Sequence, residues 1–280
     1  KGSGHGNGAN VKFGAYQTLG DLFITYHDTV ATVTSYKRVL HIDKAVAITE
    51  WTRNGIGYRQ EVWVSHPQQV IVVKLSANKP GAMHFDVNLN RKERATVLAT
   101  ENTLSMQGQL NGGDGDAGVI IAAFAKAIPA GGKVTAKSNS LQVSGATECT
   151  ILLSAATDLA WPKVEVRGPQ PLPVATQWVQ TAARLSPTDL LKNHIKDYQT
   201  YFNACRLQLT TMPDTALSNI ATPQRLLQYA KGKPDVHLPA LYFNFGRYLL
   251  ISSSRSPNLP SNLQGLWAEE YQTPWNGDYH

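Results

Sequence analysis

Between residues 14 and 158 the hydrophobic positions follow two patterns. In Tyr58-Arg59-Gln60-Glu61-Val62-Trp63-Val64 and His84-Phe85-Asp86-Val87-Asn88-Leu89-Asn90 apolar and polar residues alternate, placing Phe85, Val87 and Leu89 on one face. Period two predicts half-buried antiparallel strands. Residues 69–75, 118–124 and 150–154 are instead nearly continuous apolar runs, which predict strands covered on both faces. Together they predict a large β-sandwich. No fixed period repeats along the chain, which argues against propellers and solenoids. Asn111-Gly-Gly-Asp114-Gly-Asp116-Ala-Gly118 has a faintly EF-hand-like acid spacing but no closing Glu, so it is read as a hairpin loop.

The texture changes after Trp161. Pro162, Pro169, Pro171 and Pro173 predict a stiff, extended connector and a domain boundary. Ser186-Pro187-Thr188-Asp189 is a helix start, with a capping hydroxyl, Pro in the first turn and an acid facing the positive end of the dipole. Leu191, Ile195, Tyr198, Phe202 and Cys205 then form one apolar stripe. Thr222-Pro223 opens a short helix that Gly232 can close, and residues 235–252 form a third. That third helix carries Leu238, Leu241, Tyr242, Phe245, Tyr248 and Leu249, which predicts packing inside a helical assembly.

Composition narrows the class. The chain has 280 residues, 42% hydrophobic, with 2 Cys and a formal net charge of +6. This suits about two globular domains of ~100–200 residues each and excludes collagen-like and disulfide-framework chains. The densest basic cluster, Arg91-Lys92-Glu93-Arg94, contains an acid and has no flanking aromatics, so it reads as a solvated turn and not a nucleic-acid patch. No apolar run approaches the ~20 residues of a membrane helix. Cys149 and Cys205 read as isolated buried thiols, one on a strand and one on a helix of another domain, with no disulfide or C-x-x-C signal. The eight His show no metal-ligand spacing.

Residues 252–280 differ from everything before them. They have neither strand nor helix period and combine amides and hydroxyls with Arg255, Trp267, Tyr271, Trp275, Tyr279 and His280. Long irregular segments commonly carry function. Aromatic faces can stack on sugar C–H groups while Asn, Gln, His and Arg satisfy hydroxyls, so a sugar site is one reading. A structural loop whose Trp side chains plug a core is the other, and composition favours neither. Glu269 and Glu270 read as solvated charges and Asp278 as a hydrogen-bonded structural acid. None is assigned the chemistry.

Several motifs in order along the chain decide the matter at this level. Phe13-Gly14-Ala15-Tyr16-Gln17-Thr18-Leu19-Gly20-Asp21-Leu22, Tyr36-Lys37-Arg38-Val39-Leu40-His41-Ile42-Asp43, Tyr58 to Pro67, Gly246 to Arg255, Asn262-Leu263-Gln264-Gly265-Leu266-Trp267 and Pro274-Trp275-Asn276 resemble family 95 glycoside hydrolases, the inverting α-L-fucosidases. The resemblance implies a multidomain β-then-α fold, read here as a β super-sandwich over residues 1–160, a proline connector and helical linker over 161–234, and the start of an (α/α)6 catalytic barrel over 235–280. It implies release of terminal α-L-fucose, α-1,2-linked, from glycans or xyloglucan. An α-L-galactosidase, a phosphorylase on the same barrel and a non-catalytic sugar-binding protein are the alternatives. Arg255, Gln264, Trp267, Trp275, Asn276 and His280 are then the expected substrate-binding residues. The catalytic acid and base are expected after residue 280, with no metal and no cofactor. The expected partners are a fucosylated oligosaccharide or polysaccharide and the rest of the same polypeptide, with no nucleic acid and no membrane span. The resemblance also implies a secreted or periplasmic protein.

Overall fold

The structure is a computed structural model. It describes residues 16–27, 32–112, 117–160, 163–211, 217, 219–255, 259–263, 266–270 and 277, with backbone alone at 163–165. The described strands are β1 (Asp21–Tyr26), β2 (Val33–His41), β3 (Val46–Arg53), β4 (Ile56–Ser65), β5 (Val70–Ala77), β6 (Met83–Asn90) and β7 (Ala95–Thr100). There follow β8 (Thr103–Asn111), β9 (Ala117–Ala130), β10 (Lys133–Ala136), β11 (Ser140–Ala146), β12 (Glu148–Thr157), β13 (Leu159–Ala160) and β14 (Lys163–Arg167). The described helices are α1 (Pro171–Ala182), α2 (Pro187–Phe202), α3 (Thr222–Ala230) and α4 (Leu238–Ser253).

Two antiparallel sheets face each other. The smaller runs β1-β6-β11-β10 and the larger β2-β3-β4-β5-β12-β9-β8-β7, with β13 and β14 forming a short ribbon. Phe85, Val87, Leu104, Leu141, Cys149 and Ile151 fill the space between the sheets. The alternation read in the sequence is what the fold uses: in β6 the odd positions 85, 87 and 89 are buried and the intervening polar residues are not. The continuous runs are β5, β12 and β9, adjacent in the middle of the large sheet. Their second face packs on α1 and α2, where Val46, Trp63, Val72, Leu152, Val179, Ala182 and Leu190 form a second core. A strand buried on both faces cannot alternate, which explains its pattern. β8 and β9 pair through Asn111 and Ala117, as the hairpin reading required, although residues 113–116 of the loop lie outside the described residues.

Several expectations need correction. The proline-rich stretch is not an extended connector throughout, because α1 begins at Pro171 and lies across β9 and β12. Proline costs nothing in a first helical turn, where the backbone N–H has no intrahelical acceptor. Pro171, Ala175, Val179 and Ala182 form the buried stripe of α1. In α2 the buried residues are Leu190, His194 and Tyr198, a face rotated from the predicted stripe. Leu191, Ile195 and Phe202 are only half-buried, and Cys205 lies beyond the helix end and is exposed. Cys149 is buried as expected, and burial pushes its thiol up to about 12. The apolar helix α4 is not enclosed: Tyr242 is 75% and Leu250 62% exposed. Arg91, expected in a solvated turn, is 6% exposed. Its guanidinium reaches past the end of β6 to the segment before β1.

Candidate glycoside site

The helix α2 is the link between the sandwich and the segment that carries the sugar-site candidates. Its start is the predicted cap: Ser186 Oγ accepts from the Asp189 backbone N–H at 3.1 Å and donates to the Asp189 carboxylate at 2.6 Å. One side of α2 grips the turn between β2 and β3. His194 Nε2 lies 2.8 Å from the Lys44 carbonyl and 3.2 Å from that of Ala45, which therefore act as acceptors of its N–H. The Tyr198 hydroxyl donates to the Ile42 carbonyl at 2.7 Å, and Gln199 Nε2 donates to that of Asp43 at 3.2 Å.

Burial holds the His194 pKa below its ordinary 6.5, outweighing the opposing pull of the Lys44, Ala45 and Val64 carbonyls and of Asp197. A folded-state pKa below the unfolded one means that the unfolded chain binds the extra proton first. This contribution to stability is therefore complete above about pH 6.5 and is lost as pH falls from there toward the folded value. We expect thermal stability to decline between pH 7.5 and 5.5, and His194→Gln, which keeps an N–H donor without the titration, to show a shallower decline. Equal slopes for the two proteins, measured by circular dichroism, would rule His194 out as the cause.

The other side of α2 holds α4 and the chain that follows it. Arg247 donates to the Phe202 carbonyl and, at 3.4 Å, to that of Tyr201, satisfying the carbonyl end of α2. Its guanidinium lies 4.7 Å from the Phe202 ring centroid. Just past α4, Arg255 Nη1 donates to Asp197 Oδ2 at 2.7 Å, and its guanidinium stacks 4.4 Å from the Tyr201 ring centroid. Arg255 Nε and Nη2 are buried and have no hydrogen-bond partner among the described residues. Asp197 and Tyr201 thus hold the group in place with two donors free. Ser253 Oγ and Ser261 Oγ are 2.5 Å apart, which ties the returning chain to the last turn of α4.

Of the predicted site residues, Arg255 and Trp267 are described. Trp267 is 49% exposed, leaving much of its indole open to a ligand or a partner surface. Gln264, Trp275, Asn276 and His280 lie outside the described residues, as does Asp278. Glu269 and Glu270 are exposed, as solvated charges should be. Among the described residues no three His, Cys, Asp or Glu groups converge to hold a metal ion. No described helix is long and apolar enough to cross a membrane. Sequence reading missed His194 and Asp197. A His among charged helical positions carries no signal of the carbonyls that a distant turn will bring to it.

Two family models account for most of the chain. The glycosyl hydrolase family 65 N-terminal domain matches residues 2–160, and the glycosyl hydrolase family 95 catalytic domain matches residues 186–280. The chain carries a glycosyl hydrolase family 65 N-terminal domain, and residues 186–280 resemble the family 95 catalytic domain. The sandwich thus coincides with the first match, and the second begins at the Ser186 cap of α2. The chain is 30% identical over 279 residues to "Probable alpha-fucosidase A" of Aspergillus niger, covering 96% of this chain and 34% of that protein. It is 28% identical over 299 residues to "Alpha-L-fucosidase 2" of Arabidopsis thaliana, covering 95% of this chain and 34% of that one. It therefore spans about a third of the length of these curated relatives. The solved structure titled "Putative kojibiose phosphorylase from human microbiome" superposes on 65% of this chain and 27% of its own, at 11% identity and a TM-score of 0.47.

Proposed function

We propose that the protein containing this chain is a glycoside hydrolase that releases terminal α-L-fucose from glycans, with α-1,2-linked fucose and xyloglucan as the first substrates to test. One observation carries the reading: residues 186–280 match the family 95 catalytic domain, and proteins named as α-fucosidases align along 95–96% of the chain. In this reading residues 1–160 are a super-sandwich domain, 161–234 a connector and helical linker, and 235–280 the opening of an (α/α)6 barrel. The exposed apolar side of α4 suits such a barrel, because Tyr242, Phe243 and Leu250 would be covered by further helices. The reading also puts the protein outside the cytoplasm, secreted or periplasmic, where glycan substrates are met.

Inversion requires an acid that protonates the leaving oxygen and a base that activates water across the ring, ~6.5–9.5 Å apart. The exposed, adjacent Glu269 and Glu270 suit neither role, and the pair is assigned to positions following His280 in the complete polypeptide. The sugar-holding groups are Arg255, Gln264, Trp267, Trp275, Asn276 and His280. Of these, Arg255 has two donor nitrogens without a partner among the described residues, and Trp267 is 49% exposed.

Assay of the complete gene product on matched α-L-fucosyl and α-L-galactosyl substrates, with the anomer of the released sugar read by NMR, tests the proposal. Retention of configuration, or no release of either sugar, would sink it. The second reading, an α-L-galactosidase, turns on His280. L-Galactose is L-fucose with a hydroxyl on its methyl group, and an imidazole fills space that the smaller Thr leaves open. His280→Thr is therefore expected to move the fucose-to-galactose ratio of kcat/KM toward galactose by about 10–200-fold, the range for one such contact. An unchanged ratio would remove His280 from the pocket.

A further inference from the structure

Among the described residues the two facing sheets end on four edge strands, β1 and β10 on the smaller and β2 and β7 on the larger. An open edge is a row of unpaired backbone donors and acceptors, normally guarded against another chain by charge, brevity or a bulge. β2 carries Lys37 and Arg38 and a register break between Val33 and Ser35. β10 has four residues and begins at Lys133, and β1 begins at Asp21. β7 has none of these guards. It reads Ala95-Thr96-Val97-Leu98-Ala99-Thr100, without charge or proline, and its register with β8 is unbroken from Ala95–Gly108 to Thr100–Thr103.

One face of β7 belongs to the core, where Ala95, Val97 and Ala99 pack against the residues between the sheets. The other presents Thr96, Leu98 and Thr100 to solvent, and Leu98 is 61% exposed. The β7–β8 turn has two residues, Glu101-Asn102, so Thr100 and Thr103 form a hydrogen-bonded pair, and by alternation so do Leu98–Ser105 and Thr96–Gln107. Ala95, Val97 and Ala99 therefore turn their N–H and C=O groups toward the open edge, where no described strand pairs with them.

The ends of the strand select its partner. Arg94 precedes β7 and Glu101 follows it, both exposed. An antiparallel copy of the same strand brings the basic end of each to the acidic end of the other, whereas a parallel copy would set like ends together. A two-fold axis normal to the sheet keeps the core faces on one side, so residues of matching face must pair. Centring the pairing on Val97 would set Glu93 against Glu101 of the second copy, two like charges. Centring it on Leu98 avoids this. Leu98 then meets Leu98 of the second copy, Thr96 meets Thr100, and Val97 pairs with Ala99 through the outward amides.

We propose that β7 is a homodimer interface: two copies of the protein pair edge to edge through Ala95–Thr100, antiparallel and centred on Leu98, joining their large sheets into one. The contact is self-complementary and closes on itself, which gives a dimer and not a fibre. A six-residue strand pair is smaller than the ~1,000 Å² that a permanent interface clears, so the expected Kd is on the order of micromolar. The inference is independent of the glycosidase reading, because no expected sugar-binding residue takes part.

Sedimentation of the complete polypeptide between about 1 and 100 μM should show a dimer fraction that rises with concentration. Leu98→Lys, which sets like charges face to face, should stay monomeric throughout and keep the wild-type unfolding midpoint, since the side chain is exposed in the monomer. Thr96→Lys with Thr100→Glu places opposite charges across the axis and should dimerise, while Thr96→Lys with Thr100→Lys should not. Within one copy these two positions are ~13 Å apart and do not pair. Leu98 falls in a non-hydrogen-bonded pair with Cα atoms about 4.5 Å apart, close enough for a disulfide. In a Cys205→Ser background, Leu98→Cys should therefore link two copies on mild oxidation, and Thr96→Cys, ~13 Å from its counterpart, should not. A wild type that is monomeric at every concentration overturns the proposal. So does a dimer that survives Leu98→Lys, a Lys–Glu pair that associates no better than the Lys–Lys pair, or absence of the Leu98→Cys cross-link. A Leu98→Lys protein that fails to fold would show that the same polypeptide covers this edge, and overturns it as well.

Discussion

Asp235→Ala should destabilise the helical part of this protein by about 3–5 kcal/mol, the usual cost of leaving a buried charge without its partner. Arg225 and Asp235 are each 6% exposed at the side chain and meet in a bidentate pair, Nε to Oδ2 at 2.8 Å and Nη2 to Oδ1 at 2.9 Å. Asp235 Oδ1 also accepts from the backbone N–H groups of His237 at 3.1 Å and Leu238 at 3.0 Å, closing the start of α4. Alanine therefore takes the bidentate carboxylate from a buried guanidinium and uncaps a helix at once. Asp235→Asn, which can keep the cap but not the charge, should fall between wild type and alanine. Arg225→Met combined with Asp235→Leu, which removes both charges, should recover much of the loss. The pair also sets a pH limit. Arg225 first, then the two backbone N–H groups, hold the Asp235 carboxyl below its ordinary 3.8. A depressed folded-state pKa gives stability that is present above about pH 4 and lost only as the carboxylate protonates below it. Urea unfolding followed by the helical circular-dichroism signal measures each effect. A cost for Asp235→Ala of under about 1 kcal/mol, the size of a cap alone, would show that the ion pair contributes nothing.

Phe85→Ala is the second large effect, expected at about 3–5 kcal/mol. Phe85 is fully buried at the middle of β6, between β1 and β11, with its ring 5.6 Å from that of Tyr26 and its side chain in the core between the sheets. Alanine at that point leaves a cavity that surrounding strands, fixed by their ladders, cannot collapse. Phe85→Leu, which keeps most of the volume, should cost less than about 1.5 kcal/mol. The loss should appear as a lower denaturation midpoint of the β signal, while the Arg225–Asp235 variants lower the helical one. A tolerance of Phe85→Ala comparable to that of a surface substitution would mean that the two sheets are not packed through this residue.

These two sites also show how legible the chain was. Phe85 could be read directly, because a strand with one buried face must alternate and the polar residues His84, Asp86 and Asn88 mark the phase. The Asp235 region was read as a helix beginning, yet its partner Arg225 was not, since nothing in a sequence says which Arg a carboxylate will meet. α1 was missed because its prolines suggested an extended chain. Two prolines in a first turn followed by Ala175, Val179 and Ala182 were the available signal. The stripe of α2 was misplaced because hydropathy ranks Leu191 and Ile195 above His194. Burial went to the histidine, which the backbone carbonyls of the β2–β3 turn could satisfy. Arg91 was read as solvated for the same reason: its acceptors are carbonyls of a segment more than seventy residues earlier in the chain.

The sequence by itself determined the strands of the sandwich, the Ser186 cap, the helices after it and the motifs that resemble family 95 glycoside hydrolases. Each of these rests on periodicity, capping or residue identity within a few positions. Only the tertiary structure decided that Arg255 is pinned between Asp197 and Tyr201 and that Arg91 holds the segment before β1. Those contacts join residues far apart in sequence. Their partners are a carboxylate, backbone atoms and one face of a ring, all of which become specific only once folding has placed them.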